Sequence, residues 1–421
     1  MPALTFAKVA VVFVAVVWAM KRRVPMGLAL SAGGLAIALL MGKPPAWIAR
    51  ELATGPEATL FSAHTCQFVA VMGMIVALSY VLDRSRQIER LTTAFRACFR
   101  SPRVTMSALP AIIGLLPMPG GALFSAPMVE AGATGTGLDR EDKALINYWY
   151  RHVWEYAWPL YPGVLLGAQL MHLEVRTLSL AQLPLCAAAI SGGFLFLRRA
   201  ARPSAAREES PRGRAAIDVA AVLLPFALIF ALHLAARLDI VIAVAAGLAF
   251  TSVAQLASRA IGTAALAKTL FANWGVLDMM LMGYGAKVFG DLLMRSGAIA
   301  GISDLFQSMH LPVLALAVAF PFVVGFFSGM TIVFVMTTFP VLLAYPGVNG
   351  HPLPVMVLAF AAGYCGTLMS PVHSCLVMST KYFEADLVKP IRRMIVPCLL
   401  ILATGVASML VLRYLHATSA P

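Results

Sequence analysis

Two stretches of an otherwise apolar chain gather residue types that can bind an anion or carry a proton. One reads Asn147-Tyr148-Trp149-Tyr150-Arg151-His152, then Glu155, then Trp158-Pro159-Leu160-Tyr161-Pro162-Gly163. The other reads Gly363-Tyr364-Cys365-Gly366-Thr367, then Ser370-Pro371-Val372-His373-Ser374. Proline removes an amide donor and clashes with the preceding turn, so each stretch is predicted to be a broken helix with free carbonyls in its middle. His373, beside Ser370 and Ser374, can donate to an anion or carry a proton near neutral pH, or it can be a hydrogen-bonded core residue.

Two further breaks carry backbone donors. Pro117-Met118-Pro119-Gly120-Gly121 interrupts one apolar segment and Ser328-Gly329-Met330-Thr331 interrupts another. A helix that restarts after such a break presents free N–H groups and partial positive charge. Amides at Gly120, Gly121, Met330 and Thr331 would meet an anionic group, with the hydroxyls of Ser125, Ser328, Ser370 and Ser374 completing its shell. Pro119 and Gly329 at the tips and Pro371 at the second broken helix are expected to line the same substrate site. Free carbonyls and helix C-termini suit a cation. The opposing reading makes all four breaks packing kinks, since Gly and Pro are common in membrane helices.

Ionisable residues inside a bilayer cost about 2.5–3.5 kcal/mol each, so each needs a reason. His373, Glu155 and Asp278 are the candidates for a proton or coupling ion, although Asp278 can equally reach headgroups. Arg151 with Glu155, and Lys287 with Asp291, are spaced four apart and read as structural pairs on one helix face. Arg151 as a substrate clamp is the alternative. The cysteines Cys66, Cys98, Cys186, Cys365, Cys375 and Cys398 show no metal or redox spacing. They read as small buried hydrophobes, and neither a metal nor a cofactor is expected.

These residues must be positioned by membrane helices. Apolar types make up 60% of the 421 residues and charged types only 12%, half the usual share, and mean hydropathy is +0.84. Such a surface cannot face water, and disorder, coiled coil and collagen fail on the same composition. Long apolar runs without alternation exclude a β-barrel. The net charge of +13 sits in short loops, as the positive-inside rule requires, so nucleic acid is not a predicted partner. Lys21-Arg22-Arg23 follows the first apolar run, which therefore reads as a first helix with its N-terminus outside and not as a cleaved signal.

Spanning runs fall near 4–20, 24–42, 58–82, 144–171, 178–197, 216–236, 240–258, 274–294, 354–380 and 394–413. The segments 103–132 and 311–345 remain. If each is a re-entrant hairpin, the arginines from Arg84 to Arg103, those from Arg198 to Arg214, and Lys381, Lys389, Arg392 and Arg393 all fall in the cytoplasm. A single kinked crossing in either place would separate them. The halves also share an order of landmarks at a near-constant offset: Ser85 and Ile88 with Ser296 and Ile299, Pro102 with Pro312, Gly114 with Gly325, Pro127 with Pro340, and Pro159 with Pro371. The predicted fold is an all-α polytopic membrane protein of about ten transmembrane helices plus two re-entrant hairpins in two inverted repeats. Residues 1–199 form the first repeat, 200–214 a basic cytoplasmic linker, and 215–421 the second. Five crossings per repeat invert the second and put both termini outside.

The stretch from Leu116 to Pro127, together with 147–163 and 363–374, resembles an uncharacterised family of prokaryotic integral membrane proteins known as domain of unknown function 401. That family is grouped in the ion transporter superfamily with gluconate, citrate and dicarboxylate permeases. The resemblance covers most of the chain. It implies an inner-membrane homodimer that moves a small organic anion with H⁺ or Na⁺. The Ser-Asn-Thr hairpin motif of the dicarboxylate carriers is absent, so dicarboxylate specificity does not carry over.

The expected function is an ion-coupled secondary transporter of a small anionic organic solute, alternating by an elevator-type movement of the hairpins and broken crossings against the plain crossings. The partners are that solute, H⁺ or Na⁺, and lipid. A channel could use the same tips. A membrane-embedded enzyme would need carboxylate clusters or a His-Glu-x-x-His that the sequence lacks. A primary pump would need a nucleotide motif, also lacking.

Overall fold

The computed structural model describes residues 2–54, 58–99, 101–116, 121–198, 200, 212–346, 348 and 350–419. The first tip, 117–120, and residues 201–211 of the linker 200–214 lie outside the described residues. Those described form helices and no strand.

Six helices are long and apolar enough to cross a membrane: α1 (Pro2–Lys21), α4 (Ala63–Arg84), α10 (Val175–Leu197), α11 (Arg212–Phe230, continued by a π turn to Ala235), α12 (Ile240–Ala257) and α20 (Val388–Ser419). Shorter apolar helices are α2 (Met26–Leu40), α16 (Val313–Ser328), α17 (Thr331–Leu343) and α18 (Pro352–Leu368). The chain is a multi-pass membrane protein. The remaining helices are α3 (Pro45–Ala53), α5 (Gln87–Cys98), α6 (Pro102–Ile113), α7 (Gly121–Ala133), α8 (Arg140–Arg151), α9 (Pro162–Leu170), α13 (Thr263–Phe271), α14 (Trp274–Arg295), α15 (Ala298–Ser308) and α19 (Ser374–Tyr382).

The short helices α3, α5, α13 and α15 are absent from the sequence reading. Their polar faces dilute the hydropathy of any window, although α5 and α15 alternate at a helical period. The chain enters both of these through a left-handed residue, Arg86 (φ +55°) and Gly297 (φ +88°).

Two groups of helices pack side by side. In one, α2 lies along α14, α4 touches α12 and α14, and α1 and α11 flank α2 and α12. Small residues permit the approach: a Cβ on Gly27 or Gly285 would collide with the partner helix's backbone. In the other group, α6 to α10 meet α16 to α20. The groups join through α1 on α15 and α11 on α5, with α14 and α15 also meeting α17.

Within the second group, two helix pairs fold back on themselves. The Tyr345 hydroxyl, beyond the end of α17, donates to the Leu311 carbonyl just before α16 (2.6 Å). Gly132, near the end of α7, packs on Met106 near the start of α6. Arg103 donates from Nε and Nη2 to the Ala200 carbonyl at the end of α10 (3.2 and 2.7 Å). At the same end, Lys389 and Arg393 of α20 reach Glu141 (3.0 Å) and Asp139 (3.1 Å) at the start of α8. Burial pushes the Asp139 carboxyl up, but hydrogen bonds from Arg393 and the Asp142 amide outweigh it and hold it below the usual carboxylate value.

Candidate functional site

Both broken helices form as the prolines require. The helix α8 stops at Arg151, residues 152–161 run as turns, and α9 restarts with Pro162 in its first turn. The helix α18 stops at Leu368, and α19 restarts after His373, its N-terminal capping position. Neither restart has helical partners for its first amides.

Each break is held by the fold-back pair that precedes it. In the first half, Trp154 donates to Ala111 O (3.0 Å), Trp158 to Leu115 O (3.2 Å), and Tyr161 to Gly114 O. In the second, Ser370 Oγ donates to Phe326 O, and His373 Nδ1 donates to Gly329 O (2.8 Å). Matching glycines let the backbones touch: a Cβ on Gly114 would strike the Arg151 carbonyl, and one on Gly325 the Gly363 carbonyl. The two breaks are also cross-linked. Tyr148 of α8 donates to Leu368 O at the end of α18 (3.0 Å), and Tyr364 of α18 donates to His152 O at the end of α8 (3.3 Å).

At the centre stand two imidazoles. His373 Nε2 and His152 Nε2 lie 3.2 Å apart. His152 Nδ1 sits 2.6 Å from the Tyr148 carbonyl, and His373 Nδ1 faces the Gly329 carbonyl. A carbonyl only accepts, so both Nδ1 atoms carry hydrogen and, in the neutral rings, both Nε2 atoms present lone pairs to each other. Such a pair can share a proton or another cation between them. Cys375 Sγ completes a group of three donors that all lie within 4.8 Å of one another. The Glu155 carboxylate is 3.7 Å from His152 Nε2.

Of the expected site residues, Pro119 and Gly120 lie outside the described residues. Gly121 opens α7 with its Cα against the Arg151 guanidinium, where a Cβ would overlap it. Arg151 Nη2 also faces Leu116 O (3.5 Å). Gly329 takes the left-handed turn (φ +65°) that joins α16 to α17, which favours glycine. The Met330 amide donates to Ser328 Oγ (3.3 Å). The Thr331 methyl occupies the space a side chain on Gly163 would need, so the N-termini of α17 and α9 are neighbours. Ser370 is buried, His373 and Thr331 half-buried, and Pro371 and Ser374 exposed. Ser125 is set apart: its hydroxyl donates to Asn147 Oδ1 (2.6 Å), while Asn147 Nδ2 donates to Ala122 O and Ser379 Oγ. That network ties α7, α8 and α19 together and engages the Ser125 hydroxyl proton.

Lys287 and Asp291 do pair (3.5 Å), and Asp291 also accepts from Thr59 (3.0 Å). Arg151 and Glu155 do not share a helix face, because α8 ends at Arg151; they remain electrostatic neighbours. Asp278 is half-buried in α14, whose main packing is on α2 and α4. His152 and Cys375 are the members that sequence reasoning passed over. The donors converge from the two halves of the chain, so no local spacing marks them as a set.

The family described as "Protein of unknown function (DUF401)" matches residues 5–412, and the chain belongs to it. No curated protein matches the sequence.

Proposed function

We propose that this member of DUF401 is an ion-coupled secondary transporter, and not an enzyme, that carries a small anionic organic solute with H⁺ or Na⁺ across the inner membrane of a prokaryote. The observation that carries the reading is the His373 junction. One side chain ties a hairpin tip, through Gly329, to both broken helices, through its own backbone and through His152. The N-terminus of α19 follows His373 directly, those of α9 and α17 adjoin one another, and Arg151 is buried at the first break. Anions are stabilised at such helix ends, and a buried guanidinium adds to that. The facing Nε2 atoms favour H⁺ as the coupling ion.

The exchanged contacts support two inverted repeats of five crossings and one re-entrant hairpin each. The pair α6–α7 corresponds to α16–α17, and α8–α9 to α18–α19; α1 on α15 is mirrored by α11 on α5. The bond from Tyr345 to Leu311 supports a hairpin that returns to its own side. So does the bond from Arg103 to Ala200, because two crossings lie between α7 and that residue. The moving body in this reading is α6 to α10 with α16 to α20. The plain crossings α10 and α20 travel with it, because they pack on the broken helices and on each other. The other group would form the static, homodimeric scaffold. Apolar crevices of about 500 and 540 Å³ between α11 or α1 and the hairpin body suit lipid tails at a sliding seam. Both termini are outside in this arrangement, which is the one that the resemblance to the ion transporter superfamily of gluconate and citrate permeases implies.

Single cysteines placed by Thr134→Cys and Glu209→Cys, in a background with the native cysteines replaced by serine, are expected to react from the same, cytoplasmic, side. Labelling from opposite sides would remove the first hairpin and the inversion with it. The solute is sought by melting curves of purified protein with gluconate, citrate and succinate, with and without Na⁺. A ligand at about 100 times its Kd stabilises the folded form by about 2.7 kcal/mol, and the rise should vanish in Gly121→Val. A rise that persists in that variant would move the solute away from Arg151.

A further inference from the structure

The His152–His373 pair is more than a proton site. We propose that His152, His373 and Cys375 form a tetrahedral transition-metal site, suited to Zn²⁺ or Co²⁺, with an exchangeable fourth position. The proposal rests on the same site as the transporter reading.

The nitrogen separation comes first. Two imidazole nitrogens on one tetrahedral Zn²⁺, each about 2.0–2.1 Å from the metal, stand about 3.3 Å apart; here they are 3.2 Å apart. Both rings are already in the tautomer a metal needs. Each Nδ1–H is donated to a backbone carbonyl, Tyr148 O or Gly329 O, which fixes ring orientation and leaves Nε2 free. That outer bond is the usual companion of a metal-bound histidine. Without a metal, the Cys375 thiol is a hydrogen-bond neighbour of His152, and its sulfur is the third donor of the group.

Imidazole and thiolate together select borderline-soft ions over Na⁺, Mg²⁺ or Ca²⁺, which prefer oxygen. Binding is balanced by proton release. The Cys375 thiol gives up its proton to become the ligand, any proton held between the two Nε2 atoms leaves with it, and both Nδ1 protons stay. Charge then favours an anion in the fourth position. Arg151 and Glu155 offset one another, and a divalent ion on one thiolate keeps one positive charge. The metal would therefore hold the tip, both breaks and an anion in one complex, with the proton excluded.

Wild-type protein, stripped with a chelator in detergent, is titrated with Co²⁺. One ion per chain should bind, giving the strong visible bands of tetrahedral Co²⁺ and a thiolate-to-cobalt band in the near ultraviolet; Zn²⁺ should bleach both. Cys375→Ser should lose the thiolate band, and His152→Ala should weaken binding by more than about 100-fold, beyond the loss caused by removing an outer partner. Cys186→Ser, which changes a buried thiol facing Trp154, should leave the spectrum unchanged. Zn²⁺ should raise the melting temperature of the wild type and not of Cys375→Ser. Absence of saturable binding by folded wild-type protein, or a thiolate band that survives in Cys375→Ser, would overturn the site. Proton-coupled uptake that persists with no metal binding removes the metal site alone. Stoichiometric Co²⁺ binding by a protein that moves no solute removes the transporter reading alone.

Discussion

His373→Ala is expected to lower proton-coupled uptake by about 10- to 100-fold. The change leaves the Gly329 carbonyl without its donor at the tip between α16 and α17. An unmet buried polar group costs about 1–3 kcal/mol, and each 1.4 kcal/mol is about tenfold in the population of the closed tip. It also removes one of the two nitrogens that can hold a proton between the breaks. His373→Asn separates the two effects. Its amide nitrogen can replace Nδ1 as donor to Gly329, so the tip stays closed and solute binding survives. No Nε2 remains, so the pH dependence of binding should flatten. Uptake by His373→Asn with a normal pH profile would show that the proton is carried elsewhere, with Glu155 the next group to test.

The second large effect is steric and should appear twice. Gly325→Val and Gly114→Val each place a Cβ within a backbone carbonyl's own volume, Gly363 O and Arg151 O respectively. Neither contact can be relieved by turning a side chain, so the hairpin arm must separate from the broken helix. Overpacking of this kind costs about 1–3 kcal/mol or more, and solute binding should be lost along with it. Gly262→Ala is the control, because nothing lies within 4 Å of its added Cβ. Melting temperature and solute binding of the three variants are the measurements. Matched losses at positions 114 and 325 are the result that equivalent hairpins require; a loss at one position only would mean that the two hairpins are held differently.

The long apolar helices were legible in the sequence because hydropathy alone marks them. The breaks were legible because proline cannot continue a helix: Pro162 opens α9, and α18 ends before Pro371. Gly114 and Gly325, matched in the sequence at an offset of 211, both prove to be sites of backbone contact with a broken helix, α8 and α18 respectively. What the sequence did not carry was convergence. His152 and His373 are distant in the chain, and only the crossing of the broken helices brings their nitrogens together. Helical spacing also misled at Arg151 and Glu155, because the helix it presumes ends between them. Ser125 looked like a ligand by its place after the Pro-Gly tip, yet its hydroxyl is committed to Asn147. The amphipathic helices α5 and α15 escaped because neither is long or apolar enough to stand out as a spanning run.

The most direct measurement is proton movement in proteoliposomes. Purified protein is reconstituted in vesicles loaded with a pH-sensitive dye, and gluconate, citrate and succinate are added in turn outside. At least one of them should accumulate against its own gradient when a proton gradient is imposed, should move protons with it when none is, and should do neither with His373→Ala. A solute that only equilibrates, with no proton movement and no response to an imposed gradient, would contradict a proton-coupled carrier and point to a channel.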